Sequence, residues 1–214
     1  MNGQPISQSF GGTKVYVDGF NLYYRCLKGT PYKWLDLSTF CQLLLPRHEI
    51  KRIRYFTAIV EPRGDPRQQQ RQQTYLRALR TIPNLSIHLG NFRTDVIRLP
   101  VAQPSAQGLK TVEVLKTEEK GSDVNIATMM LVDACFEDCQ VTVVVSNDSD
   151  LKGPILAVRS QMGCRVGVMV PGRTPWSVLP ADFYRPIRGK LLAASQFPST
   201  MRDAHGIITK PPTW

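Results

Sequence analysis

The sequence has no long hydrophobic run, and this absence excludes a membrane-spanning helix. A span needs about 18 or more consecutive apolar residues, whereas the strongest apolar run covers only residues 141–145 (VTVVV). Residues 1–12 are polar and lack the apolar centre of a secretory signal. The sequence therefore predicts a cytoplasmic protein with no membrane association.

Cysteine and histidine are scarce, with 5 and 3 copies. Cys135 and Cys139 are four residues apart but have no second pair and no nearby histidine, which excludes a zinc-type site. The thiols are expected to be reduced and mostly buried. The isolated histidines offer no Ser-His-Asp arrangement, and no glycine-rich nucleotide loop occurs.

Acidic residues are outnumbered, 17 against 27 basic ones, which gives a net charge of +10 and a pI of about 9.6. Such a surplus favours a polyanionic partner, nucleic acid before an anionic membrane surface, although some basic proteins have no such partner. Arg67 and Arg71 lie on a basic helix and are candidate phosphate contacts; a solvated helix face is the alternative. The same basic face would include Lys51, Arg52, Arg54, Arg77 and Arg80.

Short β-type runs alternate with helical stretches, which predicts an α/β fold with a mostly parallel sheet covered by helices on both faces. Asp36 and Pro46 delimit one helix. One domain is expected over residues 14–194, between a flexible tail at 1–13 and a second tail at 195–214. The predicted strands span residues 14–18, 50–60, 85–92, 112–115, 141–145 and 164–170. The predicted helices span residues 21–27, 37–45, 67–80, 122–136, 150–160 and 189–194.

Carboxylates follow the predicted strands at the edge where parallel sheets bind ligands. Asp18 ends the first strand, Asp148 and Asp150 follow the fifth, and Asp123 lies in the first turn of a helix. Clustered carboxylates repel one another, and a hard divalent cation with oxygen ligands relieves that repulsion. Helix capping is the alternative for Ser122, Asp123 and Asp150. The joint arrangement predicts a Mg²⁺ or Mn²⁺ site.

Three ordered segments resemble the signature segments of NYN domains, which belong to the PIN-like nuclease superfamily. They are residues 15–23 (VYVDGFNLY), 120–124 (KGSDV) and 146–151 (SNDSDL). The bacterial LabA-like branch is the most similar, although Asn147 stands where that branch commonly has glycine. The resemblance implies a PIN-like, Rossmann-like three-layer α/β/α sandwich and metal-dependent RNA cleavage.

Carried over by position, the resemblance implies that Asp18, Asp123, Asp148 and Asp150 hold the metal, and that these residues and Asn21 are catalytic. Single-stranded or structured RNA is the expected partner, and homo-oligomerisation is compatible with it. A module that binds RNA without turnover is the alternative. The expected nucleic-acid contacts are Arg67, Arg71, Lys120, Ser146 and Asn147. Four aromatic residues are candidates for base stacking or for core packing: Tyr23, Tyr24, Tyr32 and Trp34.

Overall fold

The structure is a computed structural model that describes residues 10–61, 65–103, 108–136, 140–172 and 179–214. Seven strands form a central sheet in the order β4-β3-β2-β1-β5-β6-β7, and two more form a separate hairpin. The strands are β1 Phe10–Asp18, β2 His48–Ala58, β3 Leu85–Pro100, β4 Thr111–Lys120, β5 Val141–Val145, β6 Arg165–Val170, β7 Phe183–Pro186, β8 Thr200–Asp203 and β9 Gly206–Thr209.

The helices lie close to their predicted positions. Asp36 caps one of them as expected, since its Oδ1 accepts a hydrogen bond of 2.9 Å from the amide of Ser38. Two helices have irregular neighbours: a π-helical turn (Tyr23–Leu27) follows the first, and a 3₁₀ turn (Ser149–Leu151) precedes the fifth. The helices are α1 Gly19–Leu22, α2 Leu37–Leu44, α3 Arg67–Leu79, α4 Ser122–Phe136, α5 Lys152–Ser160 and α6 Gly189–Ala194.

The sheet is parallel except at one edge, which confirms the predicted mostly parallel topology. β1 pairs in parallel with β2 and β5, so the carboxyl ends of these strands meet at one edge. β3 runs past that edge, and β4 returns antiparallel to it until Lys120 lies opposite Asn91. The sequence prediction ended both strands too early and missed β7. The longer hairpin brings the end of β4 back to the edge where β1 and β5 end.

The core has two halves, one on each face of the sheet, as expected for an α/β/α sandwich. Alternation along β1 sends Val15 and Val17 to one face and Tyr16 to the other. Helices α2, α3 and α6 cover the first face, whereas α4 and α5 cover the second. Ile126 and Met130 of α4 are fully buried as predicted, but Val124, also predicted inward, is 69% exposed.

The prediction of a tail over residues 195–214 is wrong, because this segment forms a hairpin that packs on the core. Ile208 of β9 is 1% exposed, and Trp214 packs 6.3 Å from Trp34 between ring centroids. Arg77 of α3 donates to both carboxylate oxygens of Asp203 in β8. The apolar residues here are too widely spaced to show a helix or strand period, so the sequence pattern did not reveal the hairpin.

Several predictions fall at the limits of the described residues. β1 begins at Phe10 and Thr13 is fully buried, so the predicted boundary at residue 14 is too late. The rest of the predicted first tail, residues 1–9, lies outside the described residues, as do Cys139 and part of the predicted loop after Leu99. Cys135 is exposed, which contradicts its expected burial, whereas Cys41 and Cys164 are buried as expected.

Arg54 does not belong to a solvent-facing basic surface, contrary to the prediction. It is buried and donates from Nε and Nη2 to the two carboxylate oxygens of Asp133, at 2.7 and 2.5 Å. The hydroxyl of Tyr16 donates to the same carboxylate at 2.7 Å. Although Asp133 is buried, which would raise its pKa, these bonds hold the pKa below its usual value.

The described part of the chain contains no helix with the length and apolar character that a membrane span requires.

Candidate active site at the carboxyl edge of the sheet

Four carboxylates line one cleft at the edge where β1 and β5 end. Asp18 is the last residue of β1, Asp148 follows β5, Asp123 lies in the first turn of α4, and Glu119 is near the end of β4. These residues, with Asn21, line an opening of about 390 Å³, which we call the carboxylate cleft. The convergence predicted for Asp18, Asp123 and Asp148 is therefore present in the structure.

Ser146 links two of these acidic residues, Asp18 and Asp148. Its hydroxyl donates to Oδ2 of Asp18 at 2.9 Å and accepts from the backbone amide of Asp148 at 3.1 Å. The other oxygen of Asp18, Oδ1, accepts a hydrogen bond of 2.9 Å from the backbone amide of Asn21. Ser146 is fully buried, so the predicted contact of its side chain with nucleic acid is wrong. It positions the carboxylates from beneath the cleft.

Asn21 has a buried acceptor that lacks a partner. Its Oδ1 accepts no hydrogen bond within the described part of the chain. A buried, unsatisfied carbonyl oxygen costs about 1–3 kcal/mol, and the side chain that carries this one lines the same cleft as Asp18 and Asp123. A cation or a donor group that reached this oxygen would remove the cost.

Two of the carboxylates, Asp18 and Asp123, have a raised pKa. Burial and then the charges of Asp148, Asp18 and Glu119 raise the pKa of Asp123 to about 6. Burial also raises the pKa of Asp18, against the lowering effect of its hydrogen bonds from Asn21 and Ser146. The cleft therefore disfavours its own negative charge, which is typical of sites that bind a cation.

Glu119 was not identified from the sequence, because the prediction ended β4 before it. Its Oε1 accepts from the hydroxyl of Ser122 at 2.9 Å and from the amide of Ser122 at 3.2 Å. Ser122 thus binds Glu119 at the start of α4. Gly90 makes room for this carboxylate, since a Cβ built there would lie 2.2 Å from Oε1. Recognising β4 as a longer strand would have placed Glu119 at the edge.

The donor set of the cleft fits a hard divalent cation. Carboxylate and amide oxygens are the groups that such cations prefer, and Mg²⁺ usually uses one or two protein carboxylates while it keeps several waters. Among the described residues, no group of three or more His, Cys, Asp or Glu side chains is arranged so that it could hold a metal ion by itself. A cation in the cleft would therefore need water among its ligands.

The sequence matches the NYN domain family over residues 12–184, most of the chain. The chain belongs to this family. NYN domains are part of the PIN-like nuclease superfamily, and the parallel sheet between two helical layers agrees with that assignment. The finer placement in the LabA-like branch stays a prediction.

The proteins similar to this NYN domain include a named enzyme and a solved structure. One is 6-hydroxy-3-succinoylpyridine 3-monooxygenase HspA from Pseudomonas putida, which is 33% identical over a match that covers 74% of this chain and 59% of the relative. The chain thus spans little more than half the length of that protein. The other is a crystal structure of a protein of unknown function from Vibrio parahaemolyticus, with 20% identity and a TM-score of 0.54. That match covers 85% of this chain and 96% of the other, and it shows the shared fold.

Asp150 lies outside the lining of the cleft. It is exposed on the 3₁₀ turn before α5, and its amide donates to Oδ1 of Asp148 at 3.0 Å. Asp148, and not Asp150, is therefore the residue that caps this turn. Asp150 acts on the cleft through its charge, which is the smallest of the contributions that raise the pKa of Asp123. Its predicted role as a metal ligand stays a prediction.

The other residues predicted to contact nucleic acid lie at separate places in this NYN domain. Arg67 is exposed at the start of α3, and Asn147 is half-buried beside the cleft. Arg71 pairs with Asp65 at 2.5 Å and lines a neighbouring pocket. Lys120 is exposed and pairs with Glu118 at 2.8 Å.

Arg25 lines the carboxylate cleft and was missed by the sequence interpretation. It follows Asn21 by four residues, and residues at this spacing share one face of a helix. Both side chains line the cleft, and Arg25 is exposed there. The spacing from Asn21 was the signal that could have identified it. An arginine next to carboxylates is suited to bind a phosphate that approaches the same cleft.

Proposed function

We propose that this NYN domain is a metal-dependent ribonuclease that hydrolyses phosphodiester bonds within RNA. The observation that carries the proposal is the cleft itself, which is lined by four carboxylates and by Asn21, whose Oδ1 is unsatisfied. Mutual repulsion and an unpaired acceptor are costs that a bound divalent cation removes together. The membership in a superfamily of nucleases supports the same activity.

Asp18, Asp123, Asp148 and Asn21 are the residues that would hold the cation, which we propose to be Mg²⁺ or Mn²⁺. When bound, such a cation lowers the pKa of a coordinated water and neutralises charge on a phosphate. Glu119 lines the same cleft and adds to its negative charge.

The protein groups around the site have separate tasks. The hydroxyl of Ser146 fixes the positions of Asp18 and of the turn that begins at Asp148 relative to each other. Burial and the neighbouring carboxylates raise the pKa of Asp123 to about 6, and a cation bound next to it would relieve that repulsion. Arg25 lies where it can bind a non-bridging phosphate oxygen and balance the negative cleft.

RNA as the partner is supported by charge and by family. The net charge of +10 favours a polyanion, and an acidic cleft on a basic chain can attract a nucleic acid and still hold a cation. We propose a cytoplasmic location, because the five cysteines show neither disulfide-type nor zinc-type spacing in the sequence.

The direct test is cleavage of end-labelled RNA, single-stranded and structured, in parallel reactions with Mg²⁺, Mn²⁺ and EDTA. We expect internal cleavage with either metal, none with EDTA, and none with Asp18→Asn. Equal RNA binding by both proteins without cleavage in any reaction would favour the alternative, an RNA-binding module without turnover. Cleavage that continues in EDTA would contradict metal dependence.

A second candidate function rests on the similarity to the monooxygenase from Pseudomonas putida. The name of that protein describes oxygen transfer to a hydroxylated pyridine. For this chain, the corresponding test is consumption of 6-hydroxy-3-succinoylpyridine in the presence of O₂ and a two-electron donor such as NADH. The monooxygenase function would replace the ribonuclease proposal if the protein cleaves no RNA but consumes this pyridine, and if Asp18→Asn still consumes it.

A further inference from the structure

A second cavity, of about 290 Å³, adjoins the carboxylate cleft. Its volume is at the lower end of the range for small-molecule sites, about 300–1,000 Å³. Six of its lining residues carry aromatic rings, and we call this cavity the aromatic pocket. Its aromatic lining comprises Phe20, Tyr23, Tyr24, Tyr55, Tyr75 and Trp214.

The inner rings of the aromatic pocket are held in place by the core. Tyr55 and Tyr75 are 8% and 6% exposed, and the Tyr75 hydroxyl donates to the carbonyl of Leu35 at 2.9 Å. Trp214 lies 5.6 Å from Tyr75 between centroids, at an interplanar angle of 62°. Fixed aromatic walls lose little conformational entropy when a planar ring binds against them.

Two residues connect the aromatic pocket with the carboxylate cleft. Phe20 and Tyr24 line both. Their rings stack with centroids 6.5 Å apart and an interplanar angle of 24°, and Tyr24 is 59% exposed. A ligand with a phosphate in the cleft would therefore place a group attached to it next to Tyr24.

Polar side chains supply both donors and acceptors around the aromatic pocket. Gln72 is already committed, because it bonds the carbonyl of Ala58 at 2.8 Å and the amide of Val60 at 2.9 Å. Lys33, Gln68 and the Arg71–Asp65 pair complete the polar lining. An apolar ligand would offer no hydrogen bond to Lys33 or Gln68, whereas the edge of a heterocyclic base has partners for them.

We propose that the aromatic pocket binds one unpaired nucleobase of the RNA, next to the phosphate held in the carboxylate cleft. This inference rests on the proposed ribonuclease function and adds to it a site of substrate recognition. Stacking against aromatic side chains contributes about 1–3 kcal/mol per base. The proposal makes the enzyme specific for single-stranded segments, because a paired base cannot enter the pocket.

The test uses adenosine 5′-monophosphate, 6-hydroxynicotinate and adenine-containing single-stranded RNA as probes for the full chain. Tryptophan fluorescence reports binding, because Trp214 lies in the aromatic pocket. We expect the nucleotide to quench it, and Tyr24→Ala to weaken nucleotide binding at least 5-fold, whereas Tyr24→Phe keeps it. Phe136→Ala is the matched control, an aromatic residue that is 83% exposed at the far end of α4.

Cleavage is measured with the same variants, so that the two proposals can fail separately. Tyr24→Ala should raise KM for single-stranded RNA and remove the preference over duplex RNA. Unchanged nucleotide affinity in Tyr24→Ala, with RNA cleavage intact, would overturn the base pocket and leave the ribonuclease. Binding of 6-hydroxynicotinate without any nucleotide binding would also overturn it. Tyr24-dependent nucleotide binding without cleavage would support the pocket and contradict the ribonuclease.

Discussion

The hydroxyl of Ser146 lies 2.9 Å from Oδ2 of Asp18, and it links the end of β5 to the end of β1. The hydroxyl oxygen of Ser146 also accepts a hydrogen bond from the backbone amide of Asp148. One buried side chain thus fixes two carboxylates of the cleft relative to each other. Removing it should disturb the site more than the fold.

We expect Ser146→Ala to reduce cleavage at least 10-fold, the scale for loss of groups that orient metal ligands. The variant should also lose about 1–3 kcal/mol of stability, because the amide of Asp148 loses its acceptor. Ser195→Ala is the matched control: Ser195 is equally buried and donates to the carbonyl of Leu191 at 2.8 Å, but it lies outside the cleft lining. Equal activity losses in both variants would contradict the positioning role.

Asp18→Asn and Asp148→Asn are each expected to abolish cleavage while the fold is retained. Both changes remove a charge from the cleft, and thermal unfolding without metal should occur at the same or a slightly higher temperature. Circular dichroism and RNA cleavage are measured on the same samples. Asp95→Asn changes an exposed acid on the β3–β4 hairpin and should have no effect on cleavage. Wild-type rates for either cleft variant would refute the assignment.

Asp123→Asn should stabilise the metal-free protein in a pH-dependent manner. The pKa of Asp123 is raised to about 6 in the folded state, so its ionisation is unfavourable to folding. The two proteins should be equally stable below about pH 4, where the carboxyl is protonated in both the folded and unfolded states. The advantage of the variant then grows as pH rises through 6 and is constant above.

The expected gain of Asp123→Asn at pH 8 is about 1 kcal/mol, because solvent screens this half-buried group and reduces the full effect of the shift. Urea unfolding in EDTA at pH 4, 6 and 8 measures it. A gain that is already complete at pH 4 would show that the effect does not come from ionisation.

Asp150→Ser tests whether the charge of Asp150 contributes to catalysis. Asp150 lies outside the cleft lining, and serine is a good residue for helix starts. We therefore expect an unchanged melting temperature, a loss in turnover of about 10-fold and a higher Mg²⁺ requirement. Equal activity across a full Mg²⁺ titration would show that Asp150 has no part in catalysis and leave Asp18, Asp123 and Asp148.

RNA binding should weaken as salt increases, since each phosphate contact releases counterions. Arg67→Ala with Arg71→Ala should lower the slope of log K against log salt by about 2 if both reach phosphates, and by about 1 if Arg71 stays with Asp65. Arg98→Ala, on the exposed hairpin and paired with Glu113, is the control. An unchanged slope in the double variant would place the phosphate contacts elsewhere.

The sequence by itself determined most of the helices and central strands and the centre of the site. Alternating β-branched runs, the Asp36 cap and the carboxylates after strands are local signals, and parallel strands bring their carboxyl ends together. Asp18, Asp123 and Asp148 were therefore predictable without coordinates. Asn21 and the proposed activity required the family resemblance.

Only the tertiary structure decided the remaining parts, because they depend on contacts between distant segments. Glu119 reaches the cleft through the length of the β3–β4 hairpin, and Ser146 binds Asp18 across 128 positions of sequence. Trp214 joins the aromatic pocket because the segment after α6 folds back on the core. Local patterns report the period of one element, whereas burial and pairing between elements are properties of the packed chain.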